Sequence, residues 1–277
     1  MKFKATTIVE NTVLVSKGLI GEHGLSFLIE TEDKKILFDT GQGTAIVNNM
    51  TKIGHSAKDI ATAVLSHGHY DHTGGLRSLL GAGAQFELIA HPDVFSEKVA
   101  PYPGKGIIPI GIPITREELI KNGITMRLER DSTQIAPGIT TTGEIPMKTD
   151  FEKIEPVLLV RENGKEKPDP LADDQALILD TENGIVVLLG CAHRGVVNTL
   201  NRAAEITGKT KIHAIMGGLH LERAPEAQIE KTIAALREFD PKTIGFAHCT
   251  GIRAAIPLIN AFGNRVFQSS VGMVANF

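Results

Sequence analysis

Tryptophan is absent from the 277 residues, and tyrosine and cysteine occur twice each. With only Tyr70 and Tyr102 to supply large polar rings, there is no aromatic platform on which single-stranded nucleic acid could stack. Two cysteines cannot staple a secreted disulfide scaffold. There is no N-terminal apolar run of signal-peptide type and no stretch approaching the roughly 18 apolar residues of a membrane span, so a reduced, cytoplasmic setting without a membrane partner is expected. Charge excess is missing as well: 29 basic against 32 acidic residues leave −3, which excludes a nucleic-acid coat or a disordered tail protein. Neither a G-x-x-x-x-G-K-[ST] loop nor a G-x-G-x-x-G turn after a strand occurs, so nothing implies a nucleotide cofactor. What remains is an ordinary globular composition, 42% hydrophobic. It is long enough to build a large core, and a single domain over 1–277 is expected, with the oligomeric state open.

Apolar periodicity lays out the chain. Phe3–Val9, Ser26–Glu30 and Lys35–Asp39 read as strands, the last two as a hairpin around the polar turn Thr31–Lys34. Thr44 is placed to cap a helix that carries Ile46, Val47, Met50 and Ile53 on one face and stops at Gly54. Ile60–Ser66 reads as a short buried strand, and Thr73 as the cap of a helix through Leu80. The second half repeats the outline. Gln175–Asp180 and Ile185–Leu189 flank the hairpin signal Glu182-Asn183-Gly184, Val196–Ile206 is a helix and His213–Met216 a strand. Overlaying the two hairpins brings Asp39-Thr40-Gly41 onto Gly190-Cys191-Ala192-His193, so a duplicated β-β-α-β unit with polar clusters at matching strand ends of two packed sheets is expected. A helix over Ala227–Phe239 and a strand over Thr243–Ala247 complete the layout. Pro101–Pro113 and Pro137–Pro170, rich in Pro and Gly with a strand patch at Glu155–Val160, are expected to form lids or substrate-facing loops near 100–115 and 137–170.

Histidine carries the chemistry. Six of ten (His67, His69, His72, His193, His220, His248) fall just after apolar strand-like runs. His67-x-His69-x-Asp71-His72 packs three imidazoles and a carboxylate into six residues, a ligand set suited to zinc, iron or manganese. In an extended stretch residues i and i+2 point the same way, so His67 and His69 can grip one ion. The turn that follows sends Asp71 and His72 toward a second ion, about 3.5–4 Å away in a standard hydrolytic pair.

Ser66-His67-Gly68-His69-Tyr70-Asp71-His72-Thr73-Gly74-Gly75-Leu76, preceded by Phe38-Asp39-Thr40-Gly41, resembles the signature of the metallo-β-lactamase superfamily. The resemblance implies an α/β fold, a four-layer αβ/βα sandwich of two mixed sheets packed face to face, with one or two divalent metals, zinc foremost, at its edge. Gly190-Cys191-Ala192-His193, Gly217-Gly218-Leu219-His220 and Ala247-His248-Cys249-Thr250-Gly251 are similar to the branch named for the dihydropterin-methyl-ribofuranosylaminobenzene-phosphate synthase. The resemblance implies His67, His69 and His193 around a first metal and Asp71, His72 and His248 around a second. One departure stands out: the superfamily commonly places a metal-bridging aspartate after the strand equivalent to Ile185–Leu189, and here the dipeptide is Gly190-Cys191. Either Cys191 replaces it as a soft ligand, or no protein bridge exists and Cys191 lies behind the ligands; the second reading is preferred, because a thiolate would shift metal preference and invite oxidation.

The remaining candidates divide by position. Asp39 is expected behind the ligands, orienting a histidine through its ring N–H. His220 could replace the missing aspartate, touch substrate as an acid, or merely fill a turn. Asp71 and His220 are the candidates for proton handling. Thr250 and Arg253, at the start of a helix beside His248, together with Arg194, are candidates for gripping the phosphate of a small-molecule substrate. His23, His55, His91 and His213 are read as structural, and Cys249 as a buried small residue. Two activities fit: condensation of a pterin pyrophosphate with an arylamine, or hydrolysis of a phosphoester, lactone or thioester by a metal-activated water.

Overall fold

The computed structural model describes residues 2–16 and 18–277. In strand Gly184–Leu189 every residue is buried, and alternate side chains belong to different cores: Ile185, Val187 and Leu189 pack outward among helices, while Val186 and Leu188 pack inward against a second sheet. A continuous apolar run is what a strand covered on both faces requires. The second sheet supplies Phe27, Ile29, Ile36, Phe38, Val64 and Ile89 to the inner core. Its outward residues Leu28, Leu37, Ala63 and Leu88 meet Ile46, Met50, Leu76 and Leu79 of the flanking helices. The result is helix, sheet, sheet, helix, the four-layer α/β sandwich expected.

Both seven-stranded sheets share one pairing plan. The first runs Val274–Asn276, Lys4–Val9, Ser26–Glu30, Lys35–Phe38, Thr62–Val64, Glu87–Ala90, Thr125–Leu128, with three antiparallel pairings followed by three parallel ones. The second runs Gln134–Ala136, Ile139–Thr141, Ala176–Thr181, Gly184–Leu189, Ile212–Gly218, Thr243–Ala247, Val266–Gln268, again three antiparallel and then three parallel. The two hairpins occupy equivalent places, as their overlay anticipates. Parallel strands expose their carboxyl ends at one rim, where ligand sites of α/β sheets collect. Asp39, Ser66-His67, Gly190-Cys191, His220 and His248 all follow such ends.

Local details depart from the sequence reading where a distant side chain supplies a cap. The helix Ile46–Ile53 is not capped by Thr44: the Glu22 carboxylate accepts from the N–H groups of Gln42, Gly43, Thr44 and Ala45. Thr73 ends a short helix, Tyr70–Thr73, with its hydroxyl donating to the His69 carbonyl. Helix Val196–Thr207 is capped from far away by Glu152, which accepts from the Val197 and Asn198 N–H groups.

The Pro/Gly-rich segments are more ordered than loops. Lys98–Tyr102, Gly106–Pro109, Leu159–Glu162 and Lys165–Pro168 form a third, four-stranded sheet. At its root Lys98 is fully buried, donating to Asp169 Oδ2 at 2.8 Å and Asp173 Oδ1 at 2.9 Å. Burial works against the ammonium charge, but Asp173 and Asp169 outweigh it and hold Lys98 above the ordinary lysine value. The other Asp173 oxygen accepts from the N–H of Gly68, between His67 and His69 (2.8 Å). The third sheet and the histidine turn are thus tied through one buried charge cluster. Among the described residues no helix is long and apolar enough to cross a membrane.

Candidate metal centre

His67, His69 and His193 converge. His67 Nε2 lies 3.0 Å from His69 Nδ1 and 3.2 Å from His193 Nε2, and all three side chains are buried. A tetrahedral cation about 2.0–2.1 Å from each nitrogen would set them roughly 3.3 Å apart, so the spacing suits one ion. Burial and the neighbouring rings push His67 and His193 well below the ordinary imidazole value. Burial above all takes His69 to about 3. All three are therefore neutral, the form that binds metal. The opposite ring nitrogens, His69 Nε2 and His193 Nδ1, are buried and have no hydrogen-bond partner.

A second group lies beside the first. Asp71 Oδ2 is 3.2 Å from His248 Nε2 and 3.9 Å from His72 Nε2. Although burial opposes its charge, His72, His23 and His248 hold Asp71 well below the usual carboxylate range. Burial likewise opposes charge on His72, but Asp39 and Asp71 outweigh it and raise His72 to about 9. A group so surrounded by negative oxygen is set to face a cation in place of its proton.

Behind both groups, hydrogen bonds choose the tautomers. Ser66 donates its N–H to Asp39 Oδ1 and its hydroxyl to Asp39 Oδ2, both at 2.7 Å, leaving Ser66 Oγ to accept from His67 Nδ1 at 2.8 Å. His72 Nδ1 donates to the same Asp39 oxygen at 2.7 Å. One buried carboxylate thus bares Nε2 on two histidines, the role expected of Asp39. His248 Nδ1 donates to Asn11 Oδ1 at 2.9 Å, and its backbone N–H to Glu10 Oε1 at 2.8 Å. Asp39, Ala192, His220 and His248 all hold positive φ (60°, 56°, 52° and 48°), so non-glycine backbone strain gathers at this rim. Gly190 is required here, because a Cβ would collide with Ser66 Oγ. Gly190→Ala should displace Ser66 and cut zinc affinity about 10–100-fold, the usual cost of disturbing a ligand's support; unchanged affinity in a chelator competition would contradict the relay.

Several residues fall elsewhere than the sequence reading placed them. The Arg194 guanidinium is committed to the carbonyls of Ile145 and Pro170 at 2.5 and 2.6 Å, away from the cluster. Thr250 is buried with its hydroxyl accepting from the Leu219 N–H, and Arg253 is exposed, donating to the Glu222 carbonyl at 3.3 Å. These three do not form an anion grip, because the local backbone uses them first. Cys191 is not behind the ligands: its Sγ lies 3.1 Å from His72 Nε2 and close to ligand atoms of His67, His193 and His248. Cys249 Sγ joins Cys191 and His248 in one of these clusters. Burial pushes the Cys191 thiol up. His23, read as structural, reaches Asp71 Oδ2 at 3.2 Å and stacks 4.8 Å from His248. No sequence pattern pointed to it, since it sits in an irregular stretch. His55 and His91 instead pair with Glu30 and Glu144, and His213 packs on Phe277.

The cluster floors a cavity of about 250 Å³ lined by His23, His69, Tyr70, Asp71, Cys191, His193, His220, His248 and Cys249, with Ala100, Pro101, Ile110, Val157 and Leu158 as an apolar wall and Glu155, Glu222 and Arg223 as charged groups. His220, its ring 4.1 Å from that of His193, faces Glu155 at 3.6 Å. Against its burial, the neighbouring Cys249 and Glu155 raise His220 to about 10. It therefore lines the cavity beside His193 and Glu155 rather than filling a turn.

Comparison with known proteins agrees with this architecture. A sequence model of the metallo-β-lactamase superfamily matches residues 19–248, and the chain belongs to that superfamily, whose members are metalloenzymes. It is 34% identical, over 99% of its length and 96% of the relative's, to the 7,8-dihydropterin-6-methyl-4-(β-D-ribofuranosyl)aminobenzene-5'-phosphate synthase of Methanocaldococcus jannaschii. A crystal structure described as a metal-dependent hydrolase of the β-lactamase superfamily is 27% identical and superposes with a TM-score of 0.85 over 99% of this chain and 98% of that one. A metallo-β-lactamase fold protein from Bacillus subtilis, 13% identical, shares the fold with a TM-score of 0.61, covering 100% and 99% of the two chains.

Proposed function

We propose that this enzyme condenses a dihydropterin-methyl pyrophosphate with an arylamine bearing a sugar phosphate, releasing pyrophosphate. The observation that carries the reading is near full-length similarity to a synthase of that name. The chemistry of the site is compatible with it. His67, His69 and His193 would hold one divalent cation, and Asp71, His72 and His248 a second. When bound, such cations supply positive charge that a departing pyrophosphate needs.

The side chains set the rest of the reaction. As the amine nitrogen bonds to the methylene carbon, the carbon–oxygen bond breaks, its electrons leave with pyrophosphate, and the proton released by the amine nitrogen passes to a pyrophosphate oxygen or to solvent. His220, at the cavity wall, can donate a hydrogen bond to a phosphate oxygen, and Arg223 offers a second cationic contact. Asp71 is held too acidic to accept the amine's proton, so it serves as a ligand rather than as a base. The wall of Ala100, Pro101, Ile110, Val157 and Leu158 can cover a flat heterocycle and keep water from competing with the amine. The third sheet, which contributes part of this wall, acts as the lid.

Purified protein given a hydroxymethyl-dihydropterin pyrophosphate with and without an aminobenzoate-type amine tests the reading. Amine-dependent condensation and pyrophosphate release support it, and amine-independent cleavage, or turnover only of phosphodiesters or lactones, overturns it. Those latter outcomes would support the second reading, a hydrolase, which the hydrolase description of the 27% identical structure favours. Exposed Arg253 and cavity-lining Arg223 should differ under either activity. Arg253→Ala should leave KM for a phosphorylated substrate within about 2-fold, whereas Arg223→Ala should raise it about 10-fold or more, the scale of one charge-assisted hydrogen bond; equal effects would remove this assignment.

A further inference from the structure

We propose that Cys191 Sγ is a cation ligand shared by the two histidine groups, so that the centre is bridged by a thiolate from the chain. The inference rests on reading the cluster as a metal centre and adds the ligand that joins its halves. Among the described residues five clusters of atoms that could hold a metal lie at the rim, and Cys191 belongs to three of them: with His67 and His72, with His193 and His220, and with His248 and Cys249. Its clusters reach both halves, since His67 and His193 belong to the first group and His72 and His248 to the second; His67 is likewise grouped with His72 as well as with His69 and His193. Its sulfur is buried and 3.1 Å from His72 Nε2, the nitrogen that Asp39 leaves bare.

On ligation the Sγ–H bond breaks, the proton passes to solvent, and sulfur donates lone pairs to the cations. A centre with a sulfur ligand favours zinc, iron(II) or cobalt(II) over magnesium and calcium, which prefer all-oxygen surroundings.

Cobalt(II) and zinc serve as probes on the full-length chain. The cobalt-loaded protein should show thiolate-to-cobalt charge transfer in the near ultraviolet, and X-ray absorption of the zinc-loaded protein should show sulfur at about 2.3 Å beside nitrogen and oxygen at about 2.0–2.1 Å. Cys191→Ser should abolish the charge-transfer band and lower cation content from about two per chain to about one, while Cys191→Asp should restore the second cation without the band. Cys249→Ser should keep the band. Cobalt d–d bands without charge transfer in the unaltered protein, or a band that survives Cys191→Ser and vanishes in Cys249→Ser, would overturn the thiolate bridge and leave the metal centre standing. Failure to bind any cobalt or zinc would overturn both. X-ray absorption of the unaltered protein decides whether any sulfur is bound, and the same measurement on Cys249→Ser decides whether it belongs to Cys191, so a Cys191 variant that misfolds does not stop the test.

Discussion

His69→Ala should lose more than about 100-fold in zinc affinity, because disturbing only a ligand's supporting partner already costs 10–100-fold, and activity on any substrate should fall with it. The fold should survive. His69 stands 3.0 Å from His67, in a group whose burial disfavours every proton it could carry, and its Nε2 is buried without a partner. At neutral pH the ring is uncharged folded or unfolded, and its unpartnered Nε2 leaves a buried polar atom unsatisfied, so in the absence of a cation its removal carries little stability cost. Two melting curves follow from that argument. In chelator the variant should melt close to the unaltered chain. In excess zinc only the unaltered chain should gain the full stabilisation, about 2.7 kcal/mol at a hundred times the dissociation constant. Equal metal content and equal zinc-induced stabilisation in the two proteins would show that His69 is not a ligand, and full activity would remove it from the site altogether.

Lys98→Met is the largest stability effect expected outside the centre. The ammonium is fully buried between Asp169 and Asp173, and its loss leaves two carboxylates in an apolar setting without a cation. Breaking a buried pair from one side costs about 3–5 kcal/mol. A denaturation midpoint measured in chelator reads this directly, and a loss below about 1 kcal/mol would show that the cluster is solvated in solution. Because Asp173 also accepts from the Gly68 N–H, the damage should reach the turn between His67 and His69 and weaken zinc binding as well. Adding Asp173→Asn to Lys98→Met removes one stranded charge and should recover part of the stability. It should not recover the zinc affinity fully, since the neutral amide oxygen is a weaker partner for Gly68.

The two residues illustrate different degrees of legibility. His69 is two positions from His67 on extended chain, so the sequence displays both the ligand chemistry and the geometry that brings the rings together. Lys98 lies 71 and 75 positions from its partners, and a lone lysine in a strand of modest polarity carries no mark of burial. Asn11, which sets the tautomer of His248 from 237 residues away, is equally silent in the sequence. Arg194, Thr250 and Arg253 show the converse. Their types and positions fit an anion grip, but nearby carbonyls and N–H groups engage them, and Arg223 stands at the cavity instead.

Taken alone, the sequence determined the element pattern of the two hairpins and the His67-x-His69-x-Asp71-His72 ligand motif, because alternation, turn residues and short-range ligand spacing are properties of local chain geometry; the α/β sandwich and the candidates His193 and His248 came through the family resemblance. Only the tertiary structure decided that the Pro/Gly-rich segments pair into a third sheet beside the cavity, that His23 and Arg223 face the site, and that Cys191 Sγ lies within reach of the candidate ligand atoms of His67, His72, His193 and His248. The physical reason is that those placements depend on which strand ends meet at a common rim. That meeting is set by the packing of two whole sheets, and no stretch of neighbouring residues carries it.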